Sequence, residues 1–188
     1  MSELFGSVNV QIKGLTPLLM NKLNLEDLKT SSRKRIAAYD VEAQAKRSAY
    51  TTKVGDEEQL YIPAEWIYSC LINTARQYRV RRVSASAMLA GSVRVEPDQI
   101  LLGTNKYAID TRSVVIQGSR VLKARPMLKE WAAPFKLLYY KRQIPKEQVP
   151  LLKEILEDGG IRMGIGDYRP QHKGWFGTFI VTEFKSED

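Results

Sequence analysis

The chain has a single cysteine and a single histidine among its 188 residues. One cysteine cannot form an intramolecular disulfide, and neither a cysteine cluster nor a histidine pair is present to hold zinc. Cys70 falls inside an apolar helical pattern, which predicts a small buried hydrophobe. His172 has no second histidine with which to share acid–base ribonuclease chemistry. We therefore predict no metal and no cofactor.

The sequence also lacks an apolar run long enough to span a bilayer, and it lacks a long basic amphipathic helix. Its first residues, Met1–Gly6, lack the charged start and the apolar run of a signal peptide. These absences predict a cytoplasmic protein with no membrane partner. Hydrophobic residues make up 44% of the chain, which is enough for the core of one domain over residues 1–188.

Acidic residues are outnumbered by basic ones. The chain has 29 Lys and Arg against 21 Asp and Glu, which gives a formal net charge of +8. A basic excess of this size points to an anionic partner, and nucleic acid is the most common one.

A glycine-rich loop at 161–177 is the strongest candidate for a binding site. Glycine lets a backbone approach a ligand closely, the loop cations supply positive charge, and its aromatic rings offer flat surfaces. The alternative is a glycine-punctuated turn that only connects two elements. The nucleic-acid contacts predicted in this loop are Gly164, Gly166, Arg169, His172, Lys173, Gly174, Trp175 and Phe176.

Further cations occur in a polar insertion at 21–58 with a short helix around Asp40–Ala49, at the end of the first long helix, and in a basic β-hairpin at 103–130. Within the insertion, Lys29–Lys53 has seven cations and only Asp40 and Glu42 as acids, and Arg112–Lys129 of the hairpin has no acid. A solvated face, a helix-dipole interaction and a charged sheet edge are the structural alternatives. The contacts predicted in these segments are Lys46, Arg47, Arg76, Arg79, Arg112, Arg120, Lys123 and Arg125.

The order of elements predicts the fold class. Without its insertions, the chain reads strand, helix, strand, strand, helix, strand, which is the α+β ferredoxin-like, or RRM-like, arrangement βαββαβ. The aromatic signature of the RNA recognition module on its third strand is absent. The predicted core segments are strands at Val8–Ile12, Val93–Val95, Phe135–Tyr139 and Thr178–Phe184, a helix from Pro63 to about Arg82, and a helix from Pro145 to a glycine cap at Gly159-Gly160.

Two short windows resemble the repeat-associated RNA-binding (RAMP) superfamily of CRISPR effector subunits. Leu60–Ile67 is similar to the YIPG-S-S-L helix start of that family, with Ala64-Glu65-Trp66 in place of its small residues. The segment Gly164–Gly177 resembles the family's C-terminal glycine-rich loop. The basic hairpin lies where backbone subunits carry a thumb, so the chain looks like a minimal Cas seven-type subunit of cellular or phage-like origin.

The resemblance implies a role in antiviral defence through binding of single-stranded guide RNA. It also implies self-assembly into a helical filament and partnership with other CRISPR-like effector subunits. In that arrangement the βαββαβ core is a palm, the loop and the first helix flank the bound strand on it, and the hairpin closes over the strand.

Three other functions remain open at this stage. The same groove would suit a single-stranded DNA-binding or annealing protein of a phage-like system. A metal-dependent endoribonuclease would use an acid of the insertion, where Asp27, Asp40 and Asp56 are available, although none lies in a motif that assigns it catalysis. A small adaptor with a basic face would bind an acidic protein instead. We therefore predict no catalytic residue.

Overall fold

The fold is described by a computed structural model that covers residues 4–23, 40–80, 82–116 and 119–187. The strands are β1 (Phe5–Gly14), β2 (Leu18–Leu19), β3 (Thr51–Val54), β4 (Glu57–Pro63), β5 (Arg79–Val80), β6 (Val83–Ser84), β7 (Val93–Glu96), β8 (Gln99–Leu101), β9 (Ala108–Ile116), β10 (Ser119–Leu128), β11 (Ala132–Tyr140) and β12 (Phe179–Ser186). The helices are α1 (Val41–Ser48), α2 (Ala64–Ala75), α3 (Ala85–Leu89) and α4 (Val149–Arg162), with 3-10 turns at Lys146–Gln148 and Pro170–His172.

The central element is a four-stranded antiparallel sheet in the order β12-β1-β11-β7. Helices α2 and α4 pack against each other, α2 against β7 and α4 against β12. Together with the chain order, this is the ferredoxin-like arrangement, so the predicted α+β fold class is confirmed. The four predicted core strands and the start of the first long helix are confirmed as well.

Strand alternation places the core on the helix-covered face of the sheet. In β1, Val8, Val10 and Ile12 are buried, and in β11 Phe135 and Leu137 are buried, while their neighbours along each strand point to the other face. A side-chain period of two therefore gives one apolar and one polar sheet face. The buried side chains of the sheet, α2 and α4 form one cluster.

The prediction that the first long helix reaches about Arg82 is wrong. Helix α2 ends at Ala75, its last turn tightens through bonds from the amides of Gln77 and Tyr78, and β5 and β6 then pair as a short hairpin. The β-branched residues Val80 and Val83 favour this extended pairing over a further helical turn. Tyr78, expected on the core-facing helical stripe, lies beyond the helix end but still packs partly buried against the core.

The predicted glycine cap of the second helix is also wrong. Helix α4 continues through Gly159 and Gly160 to Arg162, and Gly164 adopts the left-handed conformation with φ +64° after it. The two glycines serve close packing instead. A Cβ on Gly159 would lie 2.6 Å from Thr74 Oγ1 of α2, and a Cβ on Gly160 would meet the carbonyl oxygen of Phe179 in β12.

The thumb-like hairpin of β9 and β10 forms as expected, in the register Asp110↔Arg125 and Arg112↔Lys123. Its base extends into a small sheet because β2 pairs with Met127–Leu128 of β10. Ser119, expected in the turn, is the first residue of β10, and the rest of that turn lies outside the described residues.

The insertion after β1 contains more regular structure than a polar loop. Its predicted short helix is confirmed as α1, with Asp40 at the N-cap, and its end is the β3–β4 hairpin. The cation-rich residues 24–39 lie outside the described part of the chain. Within the described ranges, no helix has the length and hydrophobicity needed to cross a membrane.

The contact between α4 and β12 generates a stability test. We expect Gly160→Ala to lower the free energy of unfolding by about 1–3 kcal/mol, because the new methyl group meets a strand carbonyl that cannot move without disturbing the sheet. This loss should exceed the gain of about 1 kcal/mol that alanine normally brings to a helix. Urea denaturation measures the difference.

Gly91→Ala is the matched control, because a Cβ on Gly91 has no atom within 4 Å. It should change the free energy of unfolding by no more than about 0.5 kcal/mol. Equal stability of the two variants would show that α4 does not approach β12 as closely as described.

Candidate nucleic-acid interface

The glycine-rich loop is docked onto the segment that follows β1. The amide of Gly177 donates to Pro17 O at 2.8 Å, and the amide of Asp167 donates to Leu19 O at 2.9 Å. The loop is closed on itself by a bond from the amide of Ile165 to Gly177 O at 2.9 Å. Because these bonds tie it to the body of the protein, the loop presents its exposed side chains from a fixed platform.

The loop glycines are needed for this internal packing. Gly166 has φ +78°, and a Cβ there would lie 2.6 Å from Leu19 O, while a Cβ on Gly174 would meet the carbonyl group of Tyr168. Gly164 and Gly166 are buried. A side chain at Gly166 or Gly174 would therefore disturb the packing of the loop itself. Contact between the loop backbone and nucleic acid stays a prediction.

The two sequence windows that resemble the RAMP superfamily meet in the structure. A Cβ on Gly166 would lie 3.4 Å from Trp66 Cζ3, so the start of α2 is directly beside the loop. Trp66 in turn makes an edge-to-face contact with Tyr50, with ring centroids 5.1 Å apart. The large side chain of Trp66 thus lies between the insertion, α2 and the loop.

A buried arginine joins the hairpin to the loop. Arg125 of β10 is only 5% exposed. Its guanidinium donates to Asp167 Oδ2 of the loop at 2.8 Å and lies 3.4 Å from Asp110 Oδ2 across the hairpin. Its Nε has no hydrogen-bond partner. Both neighbouring acids belong to the protein itself, so the structure gives Arg125 an internal role in place of the predicted nucleic-acid contact.

The same hairpin face continues outward from Arg125 as a pair of cations. Arg112 and Lys123 lie opposite each other in register, so their side chains share one face of the hairpin. Arg112 Nε donates to both carboxylate oxygens of Asp110 at 2.9 Å, and its guanidinium stacks 4.8 Å from the ring centroid of Phe176. Phe176 is buried, so its predicted contact with a base is replaced by this cation–π contact.

Exposed aromatic and basic side chains border this cation pair. Trp175 is 61% exposed and Tyr168 38% exposed, with ring centroids 6.1 Å apart. His172 and Lys173 are exposed on the same loop. We call Arg112, Lys123, Tyr168, Lys173 and Trp175 the loop–hairpin surface.

The other predicted contacts are arranged around or away from this surface. Arg169 is half-buried and donates from Nη1 to Gly166 O at 2.8 Å, so it supports the loop from inside. Arg120 is exposed near the hairpin tip. Lys46 and Arg47 are exposed on α1, whose Gln44 bonds the β10 backbone at Ala124.

Arg76 and Arg79 are exposed just beyond the C-terminal end of α2. Trp66 marks the end of α2 that lies beside the glycine-rich loop. At 1.5 Å per residue, Arg76 is about 15 Å from Trp66 along the helix axis. The structure therefore does not bring Arg76 and Arg79 to the loop–hairpin surface.

The uncovered face of the main sheet carries paired charges. Glu187 accepts hydrogen bonds from Lys136 at 2.8 Å, from Asn9 at 2.7 Å and from Ser7, and these lower the pKa of its carboxyl group to about 2. On neighbouring strands, Lys185 pairs with Glu183, and Arg94 lies 3.5 Å from both Glu96 and Asp98. A face whose cations are matched by acids offers little net attraction to a polyanion.

Three acids were candidates for metal-dependent cleavage. Asp40 accepts a hydrogen bond from the amide of Ala43 at 3.0 Å and so serves as the N-cap of α1. Asp56 is in the exposed β3–β4 turn, and Asp27 lies outside the described residues. Within the described ranges, no three His, Cys, Asp or Glu side chains are grouped as metal ligands. Cys70 is buried against α4, and burial raises the pKa of its thiol to about 12.

Sequence reasoning missed Asp110 and Asp167, the acids that position the cations. For Asp110 a signal was present. In an antiparallel hairpin that turns at 117–118, residues 110 and 125 fall opposite each other, so an aspartate–arginine pair follows from the turn position alone. For Asp167 no local pattern was available, because the loop reaches Arg125 only in the folded chain.

The Arg125 link generates a second test. We expect Arg125→Met to lower the free energy of unfolding by about 3 kcal/mol or more, because removing one partner leaves its acids uncompensated. Lys123→Met, on the same face two residues earlier, is the control and should lower the free energy of unfolding by no more than about 0.5 kcal/mol.

Asp110→Asn combined with Arg125→Met should lower the free energy of unfolding by less than the sum of the single changes, as measured by urea denaturation. Additive losses would contradict the described link.

No protein-family model and no curated protein sequence matches the chain. Its fold is similar to a chain of the type III-B Cmr-beta complex bound to cognate target RNA, seen by cryo-electron microscopy, with a TM-score of 0.61 and 15% identity. This match covers 98% of the present chain and 61% of the other, so the chain spans about three fifths of its length. A chain of a CRISPR RNA-guided surveillance complex has 12% identity and a TM-score of 0.45, with 92% of this chain and 66% of that chain covered. At 15% identity, the similarity to the Cmr-beta chain shows a shared fold and no more.

Proposed function

We propose that the protein binds single-stranded RNA, in the role of a guide-RNA-binding backbone subunit of a CRISPR-like effector complex or filament. The observation that carries the proposal is the loop–hairpin surface, where Arg112, with Lys123 opposite it in register, stacks on Phe176. The ring of Phe176 in turn contacts the exposed rings of Tyr168 and Trp175. Cations that track phosphates next to flat rings that stack on bases are the usual design of a single-strand site.

The surface is suited to an unpaired strand more than to a duplex. Trp175 exposes most of its ring, and such a ring stacks on a base only when the base is free of its partner. The surface is also rigid, because Arg125 and the backbone bonds of the loop hold the hairpin and the loop together. A rigid surface loses little conformational freedom on binding, which favours affinity.

The likeness of the fold to a chain of an RNA-bound CRISPR complex supports the choice of RNA as ligand and of a multi-subunit assembly as context. The net charge of +8 supports a polyanionic partner of either kind. Single-stranded DNA would engage the same cations and rings, so a competition between RNA and DNA oligonucleotides of one sequence separates the two ligands.

The primary experiment examines the protein as purified from cells under low salt. We expect it to carry RNA of defined length, visible as a raised 260 nm to 280 nm absorbance ratio and as a discrete band after extraction. Protein that is free of RNA and that prefers DNA in the competition would favour the DNA-binding alternative.

The loop–hairpin surface generates a third test. Trp175→Ala should weaken binding of a short RNA oligonucleotide by about 5- to 150-fold, the equivalent of 1–3 kcal/mol for one stacked base. Lys173→Ala should weaken it and reduce the slope of log affinity against log salt by about 0.7, because one phosphate contact is lost. Fluorescence anisotropy at several salt concentrations measures both effects.

Lys185→Ala is the matched control, since it removes one exposed cation from the uncovered sheet face, where Glu183 pairs with it. It should leave both the affinity and the salt slope nearly unchanged. If Lys185→Ala weakens binding as much as Lys173→Ala does, the strand lies on the sheet face and the proposed surface is wrong.

A further inference from the structure

An exposed groove lies beyond the C-terminal end of α2. It is formed by the β5–β6 hairpin, α3 and the turn after β11, and its volume is about 410 Å³. The residues lining it include the aliphatic side chains Val80, Val83, Ala87 and Met88, and Val83 is 57% exposed. The groove therefore offers apolar area that nothing in the described chain covers.

Two cations give the groove a preference for its occupant. Arg142 lines it and Arg82 lies in the adjoining β5–β6 turn; both are exposed, and no ion pair within the described ranges neutralises either of them. An occupant of this groove should therefore be acidic and partly apolar.

The chain itself carries a segment of this chemistry. The β3–β4 turn exposes Val54, which is 39% accessible, followed by Asp56, Glu57 and Glu58. The nearest described cation is Lys53, which lies opposite Glu58 in the strand register. Asp56 and Glu57 are left to attract a basic partner, and the turn backbone supplies N–H donors.

Within one copy, the turn does not fill the groove. None of the residues that line the groove belongs to β3, to β4 or to the turn between them.

We propose that the acidic β3–β4 turn of one copy docks into the basic groove of a second copy. Two different surfaces then meet at each contact, so the assembly is head to tail and can extend as an open filament. The inference deepens the proposed function, because it names the surfaces through which copies would associate along a strand. It also assigns the region around Arg79 to protein contact.

Nucleic acid is the less suitable occupant of this groove. The lining includes no aromatic ring on which a base could stack.

The test uses two charge-reversed variants of the full chain. The turn variant is Asp56→Lys with Glu57→Lys, and the groove variant is Arg82→Asp with Arg142→Glu, where aspartate tolerates the left-handed backbone at position 82. Sedimentation velocity follows self-association of each variant, alone and on a long single-stranded RNA. We expect each variant to lose at least about tenfold in association constant, because like charges then face each other.

Mixing the two variants gives the decisive result. The intact turn of the groove variant matches the intact groove of the turn variant, and the reversed turn of the turn variant matches the reversed groove of the groove variant. The mixture should therefore recover association beyond dimers, although neither variant associates well alone. A chain that carries all four changes has both charges reversed and should recover self-association. Glu183→Lys with Lys185→Glu, on the uncovered sheet face, is a control that should associate like the wild type.

Binding of a short RNA, long enough for one copy only, separates this inference from the proposed function. Both variants should bind the short RNA nearly as tightly as the wild type does. The groove variant, which gains two acids, should lose at most a few-fold in affinity through long-range charge repulsion. A selective loss of short-RNA binding in the groove variant would instead make the groove an RNA site. Wild-type protein that stays monomeric on long RNA, or a mixture of variants that does not recover association, would overturn the docking proposal.

Discussion

The arrangement of the loop–hairpin surface depends on one buried charge, the guanidinium of Arg125. A buried arginine is unfavourable unless acids compensate it, and here the two acids come from different parts of the chain, Asp110 across the hairpin and Asp167 in the glycine-rich loop. Satisfying that charge requires the hairpin to sit in one register and the loop to sit against it. The cation–π contact between Arg112 and Phe176 then forms at the same junction.

This constraint explains why the basic character of the chain is expressed on one side. The uncovered sheet face contains cations as well, but acids on the neighbouring strands pair with them, as Glu187 does with Lys136. On the loop–hairpin surface, Asp110 and Asp167 pair with the buried Arg125 and Asp110 also pairs with Arg112, whereas no ion pair within the described residues involves Lys123 or Lys173. The two faces therefore differ more in which cations their acids pair with than in where their cations occur.

The proposed assembly surfaces follow a similar principle of separation. The β3–β4 turn concentrates acids and an exposed valine, and the groove near Arg142 concentrates cations and aliphatic side chains. No residue of the turn lines the groove within one copy, so the two patches are left to meet between copies. The loop–hairpin surface takes no part in these contacts, so strand binding and copy-to-copy contact would use different residues and can be separated by substitution.

The sequence by itself determined the alternating strands, the start of α2 and the order of the core elements, because these depend on side-chain periods and local turn preferences. It also located the hairpin and the loop, while the register that sets Asp110 opposite Arg125 came from the structure. Only the tertiary structure decided that Arg125 is buried, that Gly160 and Gly166 serve internal packing, and that α2 stops at Ala75. Those outcomes depend on partners distant in sequence, such as Asp167, Phe179 and Leu19, which no local pattern brings together.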